Sequence, residues 1–224
     1  MIYKPTPSVY TVIENFYDKP YDVIALAKDF PIISCGPPKT EMLYKLDPGF
    51  NSQLFEVFLN FYGGAKPNKK YNLSAFFSKH AYDQKGVLNQ GMWRTAGHNP
   101  YTCRYDDSAE AIVLGGQVML SDNITSGSEF QIGKLKPGLD WTRQKFIDET
   151  CNYYTVPKEK YYAGEITFEE YEEFYKYHDN NYEAALTVKY EFNKLVFWRG
   201  EVVHRELRNQ PILTQHIILS EFDA

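Results

Sequence analysis

Hydrophobic and polar positions follow two rhythms along this chain, a helical one near the start and a two-residue one over most of the rest. Leu54, Phe55, Phe58, Leu59 and Tyr62 recur at helical spacing and predict a helix over 51–62. Gly63-Gly64 ends it. An earlier helix is predicted near 20–29, with Asp18 as its cap and Pro20 tolerated in the first turn. Val9 to Glu14, β-branched and aromatic, reads as a strand before it. Cys35-Gly36-Pro37-Pro38 breaks the chain between the two helices.

From about residue 71 the period becomes two: Leu73, Ala75 and Phe77 alternate with Ser74, Phe76 and Ser78. Further strands are predicted at 109–121, 128–133, 185–192, 194–199, 201–207 and 213–222. Turn signals separate them at Ser126-Gly127, Asn193-Lys194 and Asn209-Gln210-Pro211. Many short strands so punctuated predict a sandwich or jelly roll. The stretch 140–184 interrupts the β pattern. Trp141, Phe146 and Ile147 fit a helix, and Thr167-Phe168-Glu169-Glu170 is a capping box opening another. The second is acidic and carries Phe168, Tyr171, Phe174 and Tyr175 at helical spacing. That face either packs over the sheets or meets a partner.

Composition narrows the function classes. At 224 residues the chain suits one domain with a sizeable core. A hydrophobic content of 43% excludes a disordered chain. A net charge of −5 argues against nucleic-acid binding, which wants a basic face. No apolar run approaches the length of a membrane span, and Met1-Ile2-Tyr3-Lys4-Pro5 has no signal-peptide core, so a protein neither membrane-bound nor secreted is expected. Cys35, Cys103 and Cys151 form neither a disulfide framework nor a zinc pattern. Nineteen tyrosines suit either a core edge or an interface. Gly115-Gly116 lacks the Lys-Ser/Thr of a phosphate loop, and Ser126-Gly127-Ser128 is a turn pattern, not a nucleophile elbow. Asp106-Asp107 and Glu169-Glu170-Tyr171-Glu172-Glu173 read as solvated charge.

The sharpest local pattern is Leu195-Val196-Phe197-Trp198-Arg199-Gly200-Glu201-Val202-Val203-His204-Arg205, a strand, an Arg-Gly turn and a histidine heading the next strand. Before it stand Val12 to Pro20, then Val118-Met119-Leu120-Ser121 with Ser126 to Phe130, then Val188 to Leu195; Leu213-Thr214-Gln215 follows. In this order the stretches resemble the prolyl-4-hydroxylase-like iron- and 2-oxoglutarate-dependent oxygenases, especially small phage and bacterial members. The resemblance implies an α+β, mainly β fold. It would be one double-stranded β-helix (jelly roll) domain over 1–224, with an N-terminal strand and helices in 1–65 and a helical insertion at 140–184.

The family's site holds iron through two histidines and a carboxylate, leaving open positions. His204 falls on the distal ligand. The His-X-Asp motif should fall at Tyr105-Asp106-Asp107, so Asp107 offers the carboxylate and Tyr105 stands where the first histidine belongs. A neutral phenol, with a pKa near 10, is a poor replacement for imidazole. His98 lies upstream without the required spacing, and His216 is a further candidate facing inward. Ile212 occupies the place of the arginine that would hold the cosubstrate; Arg205 and Arg208 lie close by.

Departures at two parts of the site lead the reading towards a non-catalytic oxygenase-fold protein. It would be a structural or binding component of a tailed phage, with no cofactor and with protein partners or self-assembly, in the host cytoplasm or the virion. The alternative is an active iron(II)/2-oxoglutarate dioxygenase hydroxylating a protein side chain or a small molecule. It would use Asp107, His204 and His98 or Tyr105 on iron, and Arg205 or Arg208 on the cosubstrate. A ligand-binding jelly roll, with Tyr101, Tyr105 and Trp198 as stacking surfaces, is a third reading.

Overall fold

A computed structural model of the chain describes residues 10–28, 33–35, 41–45, 48–80, 93, 98–99, 104–105, 112–124, 128–139, 148, 152–153, 156–200, 202–208, 210 and 212–224. In chain order the elements are β1 (Tyr10–Ile13), α1 (Pro20–Lys28), β2 (Ile33–Cys35), β3 (Glu41–Lys45), α2 (Pro48–Tyr62), β4 (Lys69–His80), β5 (His98–Asn99), β6 (Arg104–Tyr105), β7 (Ile112–Met119) and β8 (Glu129–Leu135). Then come α3 (Val156–Ala163), α4 (Phe168–Asp179), β9 (Tyr182–Lys189), β10 (Lys194–Arg199), β11 (His204–Leu207) and β12 (Leu213–Asp223). A 7-stranded sheet runs β1-β10-β7-β12-β4-β3-β2, and a 3-stranded sheet runs β11-β8-β9. All pairings are antiparallel. The architecture is a jelly roll of mainly antiparallel sheets with a few helices.

The two faces of the large sheet have different jobs. Gln215, Ile217 and Leu219 of β12 alternate with Thr214, His216 and Ile218. The face carrying Ile217 and Leu219 joins Leu73, Ala75, Phe77, Val118 and Leu195 beneath α1 and α2, which contribute Val23, Ala27, Leu54 and Phe58. The other face, with Met119, Val196 and Trp198, packs on Phe130, Ile132 and Val188 of the small sheet. Gly115 and Gly116 sit back to back at this crossing. A side chain at Gly115 would come within 2.9 Å of the Trp198 ring, and one at Gly116 within 2.7 Å of Phe58. The glycine pair is a packing device that leaves room for one aromatic ring on each face of the sheet.

Local signals hold where the chain chemistry is strong. Gly63 and Gly64 both take positive φ, and their amides reach the carbonyls of Asn60 and Leu59 at 3.0 and 2.9 Å, closing α2 with a Schellman motif. Asn193 takes φ 58° in the turn before β10, and its side-chain amide brackets the Tyr17 backbone at 2.8 and 2.9 Å. Thr167 and Glu170 exchange hydrogen bonds at α4 as a capping box should, at 2.8 and 3.2 Å. Thr167→Ala is expected to cost about 1 kcal/mol in urea unfolding; a loss near zero would mean that α4 adds nothing to the cooperative unit. The helix predicted around Trp141, Phe146 and Ile147 lies outside the described residues. Tyr161, Tyr171, Tyr182 and Tyr190 are buried, whereas Tyr21 and Tyr177 are exposed, so the tyrosines serve core and surface alike. Among the described residues no helix is long and apolar enough to cross a membrane.

Candidate functional site

His204 opens β11, which pairs with β8 so that His204 opposes Ile132, Arg205 opposes Gln131 and Glu206 opposes Phe130. Strand alternation sends His204 and Glu206 to one side and Arg205 to the other. His204 is 3% exposed. Its ring lies against Phe130 and Trp198, with centroids 5.5 and 4.5 Å away. Its Nδ1 stands 3.0 Å from the Val202 carbonyl. A carbonyl can only accept, so Nδ1 is the donor of this contact.

Arg205 is turned away from His204. Its guanidinium lies 4.2 Å from the Trp93 ring, its Nε donates to Gln131 at 2.8 Å, and it is ion-paired with Asp179. It therefore braces α4 against the outside of the small sheet.

Arg208, just past the end of β11, comes back towards the core. It donates to the Ile212 carbonyl at 3.1 Å and to Thr214 Oγ1 at 3.2 Å. Its guanidinium also lies 5.7 Å from the Tyr190 ring centroid. Its charge is matched by Glu206, whose Oε2 accepts from Nη2; the two side chains are 4% and 6% exposed. Tyr190 in turn donates to Gln117 Oε1 at 3.4 Å. Burial, reinforced by the Glu206 charge and opposed by Arg208, lifts the Tyr190 hydroxyl well above its ordinary pKa and keeps it neutral.

From Thr214 the polar chain continues to Ser78 Oγ at 3.0 Å. His216 Nε2 lies 2.7 Å from Ser78 Oγ and 3.1 Å from Thr214 Oγ1, and its ring stacks on Phe76. Ile212, at the position where the cosubstrate arginine was expected, is fully buried in the apolar cluster. Arg208 reaches that same point of the chain from four residues upstream.

The other expected site residues fall differently. Trp198 is 5% exposed and closed in by Phe130 and His204, so its ring packs the core rather than offering a surface to stack on. His98 and Tyr105 are direct backbone partners in the β5–β6 pair; their side chains lie outside the described residues. Asp107 and Tyr101 also lie outside. Among the described residues no group of three His, Cys, Asp or Glu side chains could hold a metal ion. The cosubstrate end of the site fits 2-oxoglutarate poorly, because the inward-facing Arg208 guanidinium is already neutralised by Glu206; of Asp107, His204, His98 and Tyr105, only His204 has its side chain among the described residues. Sequence reasoning missed Glu206, Tyr190, Gln117, Thr214 and Ser78. Period-two alternation from His204 was a readable signal for the first of them.

Comparison with known proteins settles the fold. No family profile matches the chain, and neither does any curated protein. Solved structures do match. A Pseudomonas putida prolyl-4-hydroxylase aligns with a TM-score of 0.50 at 11% identity, covering 94% of this chain and 91% of its own. The fold is that of the prolyl-hydroxylase-like oxygenases. A Trichoplax adhaerens prolyl hydroxylase, in complex with a hypoxia inducible factor peptide fragment, aligns at 0.52 with 8% identity over 96% and 84% of the two chains. HygX from Streptomyces hygroscopicus, with nickel, 2-oxoglutarate and hygromycin B bound, aligns at 0.53 with 10% identity over 94% and 82%.

Proposed function

We propose that this chain is a non-catalytic descendant of the oxygenase fold, working as a binding or structural component with a protein partner. The buried Glu206–Arg208 pair carries the reading. A dicarboxylate cosubstrate seeking the guanidinium would meet the Glu206 carboxylate, and like charges at close range in a dry interior are strongly disfavoured. The aromatic packing around His204 acts the same way, since Phe130 and Trp198 fill the space on two sides of the imidazole. A protein partner is supported by the Trichoplax relative in fold, which is in complex with a peptide. A place in a tailed phage rests on the likeness of the stretches around Val12–Pro20 and Ser126–Phe130 to small phage members of the family.

The test is an anaerobic titration of the purified protein with ferrous iron, with and without 2-oxoglutarate, following the visible charge-transfer band of the ternary complex. No band is expected. A band at one iron per chain would overturn the reading and favour the active dioxygenase, with Asp107, His204 and His98 or Tyr105 on iron and Arg208 on the cosubstrate. One observation speaks for that alternative: the Val202 carbonyl orients His204 through Nδ1, as the outer partner of a ligating histidine does. His204→Ala should then abolish the band.

A further inference from the structure

We propose that Glu206 is the resident ligand of a carboxylate pocket. Arg208, fixed by the Ile212 carbonyl and Thr214 beside the Tyr190 ring, forms a recognition site for a small monocarboxylate that the chain fills with its own side chain. The inference rests on the non-catalytic reading above and says what became of the anion site. A guanidinium fork suits a carboxylate, and here its orientation is set by backbone and hydroxyl acceptors on a neighbouring strand rather than by Glu206 alone. The occupant is equally fixed, because Glu206 pairs with Phe130 in the small sheet. Pocket and ligand are therefore both preorganised, and the pocket outlasts removal of the ligand.

Glu206→Ala deletes a fragment the size and charge of acetate and leaves a buried cation, so the variant gains by taking up that anion from solution. The melting temperature of Glu206→Ala is expected to rise by about 3–6 °C at an acetate concentration about ten times its dissociation constant. The wild type, Glu206→Gln (hole still filled) and Glu206→Ala/Arg208→Met (cation gone) should respond to acetate no more than to chloride at equal ionic strength. Should Glu206→Ala not fold in buffer, its refolding yield with and without acetate reads the same binding. Equal responses to acetate and chloride in Glu206→Ala, or an acetate response in Glu206→Gln, overturn the pocket. Neither result touches the iron titration: a ternary band in the wild type sinks the functional reading, whereas a missing acetate response with no band sinks this inference alone.

Discussion

Arg208→Met is expected to destabilise the protein by about 3–5 kcal/mol, because it strands the Glu206 carboxylate in a dry interior. The thermal midpoint should fall by roughly 6–20 °C for a chain of this size. The sign of the companion experiment is the more telling part. Replacing both partners, Glu206→Leu with Arg208→Met, should cost far less than the single change, since two apolar side chains no longer need each other. Tyr190 and Thr214 then lose a neighbour but keep the contacts to Gln117 and Ser78. Urea unfolding of the two single variants and the double gives the coupling energy directly. A loss below about 1 kcal/mol for Arg208→Met would mean that water reaches the pair, as at exposed ion pairs. The argument that Glu206 blocks an incoming dicarboxylate would then lose its dielectric basis.

The pair also shows where sequence reading stops. Period-two alternation from His204 is enough to send Arg205 outward and Glu206 inward, and the structure follows it. Arg208 stands beyond the strand end, where alternation says nothing; its return to Thr214 is a tertiary fact of the β11–β12 connection. The strong local signals were legible: the Gly63-Gly64 stop, the Thr167 capping box, Asn193 in its turn, and the long apolar strands β7, β10 and β12. β3 (Glu41–Lys45) and α3 (Val156–Ala163) were not. The first is a five-residue segment with charged ends, held between β4 and the edge strand β2. The second mixes Val156, Pro157 and tyrosines with three charges and offers no clean helical stripe. Family likeness anticipated the jelly-roll fold. Identities of 8–11% to the aligned structures explain why it reaches little further.

Trp198→Ala is expected to cost about 3–5 kcal/mol, the range for deleting a large aromatic from a core. Its ring lies between Phe130 and His204, with centroids 4.6 and 4.5 Å away, over the bare backbone of Gly115. A ligand-stacking tryptophan behaves oppositely: its loss weakens binding and spares the fold. Urea unfolding of the variant therefore separates the third reading of the sequence from the packed core described above, and a change below about 1 kcal/mol would favour the ligand surface. Gly115 supplies the internal control. Gly115→Ala drives its new methyl to within about 3 Å of the indole, so it should destabilise the wild type by the overpacking range of about 1–3 kcal/mol. In the Trp198→Ala background the clash is gone and the same methyl fills part of the hole. The second substitution should then cost little or restore some stability. Additive losses would mean that the ring moves aside with ease, which a tryptophan wedged between two rings and a sheet backbone does not do.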